Sequence, residues 1–146
     1  MPKLELSLSV QYACQDGQLP TRAQVRRWVR AAQEKPLRAT VRFVSAEEGR
    51  ALNRDFRGKD YATNVLSFVY EDAATATGDL VICLPAVLRE VAEQGKPLAA
   101  HLAHLIVHGM LHLQGYDHET GKRDAARMEA REREVLARFD IPDPYA

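Results

Sequence analysis

The sequence predicts a single α/β (α+β) domain, and three observations lead there. Four short segments carry strand-like composition and five longer ones carry helical periodicity, interleaved along 146 residues. That length suits one core, and a hydrophobic content of 46% suits a folded chain. A histidine-bearing segment near the C-terminal end is apolar around most of its circumference, as a helix buried at the centre would be. The expectation is a roughly four-stranded mixed sheet with about five helices, the central buried helix carrying the metal ligands proposed below.

Leu4, Leu6, Leu8 and Val10 alternate with polar residues, the two-residue period of a half-buried strand, and Asp16-Gly17 marks a turn after it. Thr21 and Gln24 form a capping-box pattern ahead of Val25, Trp28, Val29 and Ala32, an apolar stripe at helical spacing with Trp28 as a core anchor. Residues 37–44 read as a second strand. Ser45 and Glu48 repeat the capping-box pattern and predict a short helix over about 46–55. The charged, turn-rich segment 56–64 predicts an ordered surface loop. Residues 65–70 form a third strand, 71–77 a loop of small residues, and 80–84 an apolar strand central in the sheet, opened by Gly78-Asp79. Pro85 suits the first turn of a helix to about Gln94, ended by Gly95 and Pro97. Helices over 98–114 and about 120–139 complete the chain. The last has Ala125, Met128, Val135, Leu136 and Phe139 on one face and the pairs Glu129/Arg133 and Glu134/Arg138 on the other.

The formal net charge is zero, but it is unevenly spread. Residues 1–60 hold twelve Lys/Arg against seven Asp/Glu, and residues 61–146 hold eight against thirteen. The N-terminal half is therefore the candidate polyanion-binding half, through Arg22, Arg26, Arg27, Arg30, Arg38, Arg42, Arg50, Arg54, Arg57 and Lys59. For Arg22 to Arg30 alone, a solvated helix face is the preferred explanation. Cys14 and Cys83 form no CxxC pair and lie in apolar surroundings, which fits packed, reduced thiols. No signal-peptide pattern opens the sequence and its apolar runs are too short to span a bilayer, so a soluble, cytoplasmic protein with no membrane partner is expected.

All five histidines fall between residues 101 and 118, three of them in the string HGMLHLQGYDH that starts at His108. Residues four apart share a helix face, so His108 and His112 can address one ion, and a glycine turn at Gly115 can bring His118 back to it. Three imidazoles without a fourth ligand describe an open, catalytic type of zinc site. Zinc, one ion per chain, is the first expectation, and nickel or copper would also accept such ligands. His101 and His104 continue the same face as supporting or surface residues, His104 being one turn from His108. The spacing HxxxHxxGxxH is that of the metzincin peptidases, which place a glutamate general base directly after the first histidine. Gly109 stands there, which disfavours a peptidase. Phosphodiester cleavage instead asks for charge stabilisation at phosphorus, which a metal and a fork-shaped arginine supply together, and Arg57 in the basic loop is the candidate. The proton acceptor stays open: Asp117 is adjacent to a ligand, and a turn-capping role would explain it equally well.

Together with Phe56-Arg57-Gly58-Lys59-Asp60, Thr63 to Phe68 and Gly78 to Cys83, the histidine string resembles the YbeY family of metal-dependent endoribonucleases, in the same order over nearly the whole length. The resemblance implies a small α/β sandwich; zinc on His108, His112 and His118; and a catalytic Arg57. It implies cleavage of single-stranded rRNA in 16S 3′-end maturation and ribosome quality control, with the ribosomal small subunit and assembly factors as partners. One departure is Ala62 where the family commonly has proline, which predicts a looser loop, by about 0.4 to 1 kcal/mol. Two other readings compete. In one, the chain is a ribosome-assembly RNA-binding factor with a mainly structural zinc, which a fourth ligand such as His104 or Cys83 would favour. In the other, weakened by Gly109, it is a small zinc peptidase.

Overall fold

The computed structural model describes residues 4–70, 74–117 and 120–145. Its elements run β1 (Leu6–Tyr12), α1 (Arg22–Ala32), β2 (Leu37–Val44), α2 (Ala46–Arg57), β3 (Val65–Tyr70), β4 (Ala76–Cys83), α3 (Leu84–Gln94), α4 (Leu98–Leu113) and α5 (Lys122–Ala137). The strands form one mixed sheet in the order β1-β2-β4-β3, parallel except where β3 pairs antiparallel with β4. Strand β4 is thus interior, as its unbroken apolar run Leu80 to Cys83 requires, and all four of those side chains are buried.

Alternation along β2 and β4 divides the packing into two layers. Leu37, Ala39, Val41, Phe43, Ala76, Leu80 and Ile82 meet α1, α4 and α5 in the main core. Val44, Val81 and Cys83 point the other way and, with Leu66, Ala86 and Leu52 of α2, form a smaller cluster. Helix α4 lies in the middle of the main layer, with Leu102, Ile106, Met110 and Leu111 fully buried, each worth about 1.5 to 3 kcal/mol relative to exposure. It sits close to the sheet. A side chain at Gly109 would overlap Leu80, and one at Gly78 would overlap Leu113 and the Phe68 carbonyl. Two glycines, one from each element, are what let α4 and β4 approach.

The ends of the helices differ from the sequence expectations in instructive ways. Thr21 and Gln24 form the complete capping box. Ser45 caps α2 by accepting from the Glu48 N–H, but the Glu48 carboxylate turns to Arg42 in a bidentate pair of 2.8 and 3.1 Å, so the box is only half made. Helix α2 continues two residues past its expected end and includes Phe56 and Arg57, stopping only at Gly58, whose φ of 69° is open to glycine. Strand β4 begins at Ala76, and Leu84 belongs to α3. On α5 the Glu129/Arg133 pair is present at 3.7 Å, whereas Glu134 pairs with Arg131 one helical turn earlier. Both cysteines are free thiols, and Cys83 is buried.

Candidate metal centre

The site is built on the C-terminal half of α4. Gln114 caps that helix, Gly115 follows with φ of 105°, its N–H bonding the His112 carbonyl, and the Tyr116 N–H returns to Leu111, both at 3.1 Å. This is a Schellman motif, which glycine makes possible. The turn has a chemical consequence, because it places the Tyr116 carbonyl 3.1 Å from His112 Nδ1. Gln114 locks the turn to the body of the protein. Its amide donates to the Ala32 and Met110 carbonyls at 2.9 Å, and its oxygen accepts from the Glu34 and Lys35 N–H groups at 2.6 and 3.2 Å. The Tyr116 hydroxyl donates to Glu34 at 3.0 Å while Arg127 stacks over its ring.

His108 is held from the other side, by α5. Glu132 is fully buried and its Oε1 lies 2.9 Å from His108 Nδ1 and 3.0 Å from His104 Nε2. The Tyr145 hydroxyl donates to the same carboxylate, at 2.8 Å to Oε2. Burial works against ionisation of this carboxyl, but the bonds from His104, His108 and Tyr145 outweigh it and hold its pKa down at about 2. His104, His108 and Glu132 bring their ligand atoms within 4.8 Å of one another, a group that could hold a metal ion. His101 pairs separately with Glu90 at 2.8 Å, and Glu90 also receives the Asn64 amide at 3.2 Å.

The donor set fits a metal. A carboxylate and a backbone carbonyl only accept, so each fixes the proton on the Nδ1 it faces, leaving Nε2 of His108 and His112 as the basic nitrogen. This is the tautomer a metal-binding imidazole adopts. The expected third ligand, His118, lies outside the described residues, as does the side chain that would show whether Asp117 orients it.

Arg57 is the last residue of α2, whose Leu52 packs on the smaller cluster, and it is exposed and without an ion pair to any described residue. The segment behind it is firmly anchored despite Ala62. Asp60 is bidentate with Arg50 at 2.7 and 2.9 Å, the Asn53 amide donates to the Tyr61 carbonyl at 2.8 Å, and the Cys83 N–H donates to the Asn64 carbonyl at 2.8 Å. Ala62 itself packs on the smaller core cluster. These bonds tie down the segment that the absent proline was expected to loosen. Glu132 is the residue the sequence reading missed. Its signal was available: it lies at i+4 from Met128 and i−3 from Val135, a charged residue within the apolar stripe of α5.

A four-stranded mixed sheet with histidines on its buried central helix and a carboxylate brought to them by α5 defines an α/β protein with a candidate metal site. The model of the family described as endoribonuclease YbeY matches residues 11–140. The endoribonuclease YbeY of Aromatoleum aromaticum is 57% identical over 144 residues, covering 97% of this chain and 93% of its own length. That of Thiobacillus denitrificans is 57% identical over 143 residues, covering 97% of both. The solution structure of a Thermotoga maritima protein superposes with a TM-score of 0.60 at 26% identity, over 91% of each chain. This chain belongs to the YbeY family.

Proposed function

We propose that this chain is a zinc-dependent endoribonuclease that cuts single-stranded rRNA, with His108, His112 and His118 as metal ligands and Arg57 as the phosphate-binding catalytic residue. Its setting would be maturation of the 16S 3′ end and ribosome quality control in the cytoplasm, on the small subunit with its assembly factors. Family membership supports the nuclease activity. The observation that carries the site is the pair of Nδ1 hydrogen bonds, His108 to Glu132 and His112 to Tyr116, which turn both basic nitrogens to the same task. When bound, zinc supplies positive charge for a phosphate oxygen and acidifies water. The protein's own residues hold the imidazoles rigid on a buried helix, and Arg57, exposed at the end of α2 and paired with no described residue, offers a guanidinium to the RNA backbone. No described helix is long and apolar enough to cross a membrane.

The alternatives fare worse on particular observations. The peptidase base would have to stand at Gly109, where a side chain overlaps Leu80. A four-ligand structural site through Cys83 is opposed by its place in the cluster on the far face of the sheet, and one through His104 by the engagement of its Nε2 with Glu132. The test is metal analysis of protein purified without added metal, beside cleavage of single-stranded rRNA by wild type, His112→Ala and Arg57→Glu. One zinc per chain, lost in His112→Ala, with cleavage lost in both variants, is expected. Bound zinc with no cleavage above the variants would turn the reading to the RNA-binding assembly factor.

A further inference from the structure

Glu132 has so far only fixed the tautomer of His108, although it bonds three side chains, His104, His108 and Tyr145. Its Oε1 faces two histidines one helical turn apart on α4, and its Oε2 takes the hydroxyl of Tyr145 from the C-terminal tail. The tail is tied in turn: Asp143 accepts from Arg133 at 2.8 Å and from the Tyr145 N–H at 2.8 Å, and the Tyr145 ring stands edge-on to His104 at 5.4 Å. The separations of 2.9 and 3.0 Å between Oε1 and the two nitrogens are hydrogen-bond lengths. Two donors on one tetrahedral zinc, each about 2.0 to 2.2 Å from it, stand farther apart, at about 3.3 Å. The geometry is that of a carboxylate orienting a ligand.

We infer that Glu132 is a positioning residue for the metal centre, holding His108 by its Nδ1–H and itself held by His104 and by the tail hydroxyl of Tyr145, so that the C-terminal tail is part of the metal site's support. This rests on His108 being a ligand, as proposed above. The test is equilibrium zinc affinity, by competition with a chromophoric chelator, for the full chain and its Glu132→Gln, Tyr145→Phe and His112→Ala variants, with cobalt(II) absorption spectra and circular dichroism of each. Glu132→Gln should keep one site and an unchanged cobalt spectrum while binding zinc about 10- to 100-fold more weakly, the usual cost of losing an orienting partner. Tyr145→Phe should weaken zinc about fivefold, the worth of one hydrogen bond. Wild-type affinity in folded Glu132→Gln, with His112→Ala unable to bind, would overturn the inference alone. Zinc retained by His112→Ala but lost from folded Glu132→Gln would make Glu132 a ligand and overturn the site reading as well. Should Glu132→Gln not fold, unchanged affinity in Tyr145→Phe overturns the inference.

Discussion

Arg57 and Glu132 are charged side chains in opposite settings. Arg57 is exposed at the end of a helix and pairs with no described residue, so its removal disturbs none of the described contacts that hold the fold. Arg57→Ala should keep wild-type zinc content and thermal stability within about 0.5 kcal/mol while cleavage falls at least tenfold; retained cleavage in Arg57→Glu would remove this residue from the chemistry. Glu132 is buried, and the bonds from His104, His108 and Tyr145 hold its pKa at about 2 against an ordinary 4.5. A carboxyl that binds its proton less readily when folded than when unfolded stabilises the fold above the unfolded pKa. That contribution is complete above about pH 4.5 and is lost as pH falls toward 2. Denaturant unfolding of the metal-free protein between these limits should show stability falling with acid, and Glu132→Gln should show a shallower fall. Equal slopes would mean that the carboxylate gains nothing from its partners.

At the scale of elements, the site depends on how α4 is seated. Gly109 and Gly78 set the distance to β4, and Gln114 fixes the far end of the helix to the end of α1. Gln114→Ala would strip hydrogen bonds from the carbonyls of Ala32 and Met110 and the N–H groups of Glu34 and Lys35, at a cost of more than about 2 kcal/mol, measurable by chemical denaturation. Gly109→Ala should cost about 1 to 3 kcal/mol by overpacking against Leu80, and a variant as stable as wild type would show that α4 can shift. Much of this level was legible beforehand. Alternation, apolar stripes, Thr21 and the Gly115 turn are local signals, and they placed the strands and helices to within a few residues. What was not legible was long-range. Glu48 abandons its own helix for Arg42 on β2, and Glu132 meets α4 only through tertiary packing. The histidine pattern announced the candidate ligands, but nothing local to it could announce the carboxylate that meets His104 and His108.

For the molecule as a whole, the issue is how much of its charge an RNA would meet. The excess of cations in residues 1–60 overstates the binding surface, because Arg42, Arg50 and Arg54 are paired with Glu48, Asp60 and Asp55. Arg57 and Lys59, either side of the glycine that ends α2, form no ion pair with any described residue. Binding of a single strand releases about 0.7 counterion for each phosphate neutralised, and the logarithm of affinity falls with the logarithm of salt in proportion. Removing both cations, in Arg57→Ala/Lys59→Ala, should therefore flatten that slope by about 1.4. Removing a pair that is already neutral, in Arg50→Ala/Asp60→Ala, should leave it unchanged, which separates the unpaired cations from the total charge. Affinity for single-stranded RNA that ignores salt, or a slope that responds equally to both double variants, would place the RNA elsewhere than on the Arg57 segment. If the neutral pair alone mattered, its role would be to hold Asp60 and the segment behind Arg57 in place, and the loss would then appear in binding at every salt concentration alike.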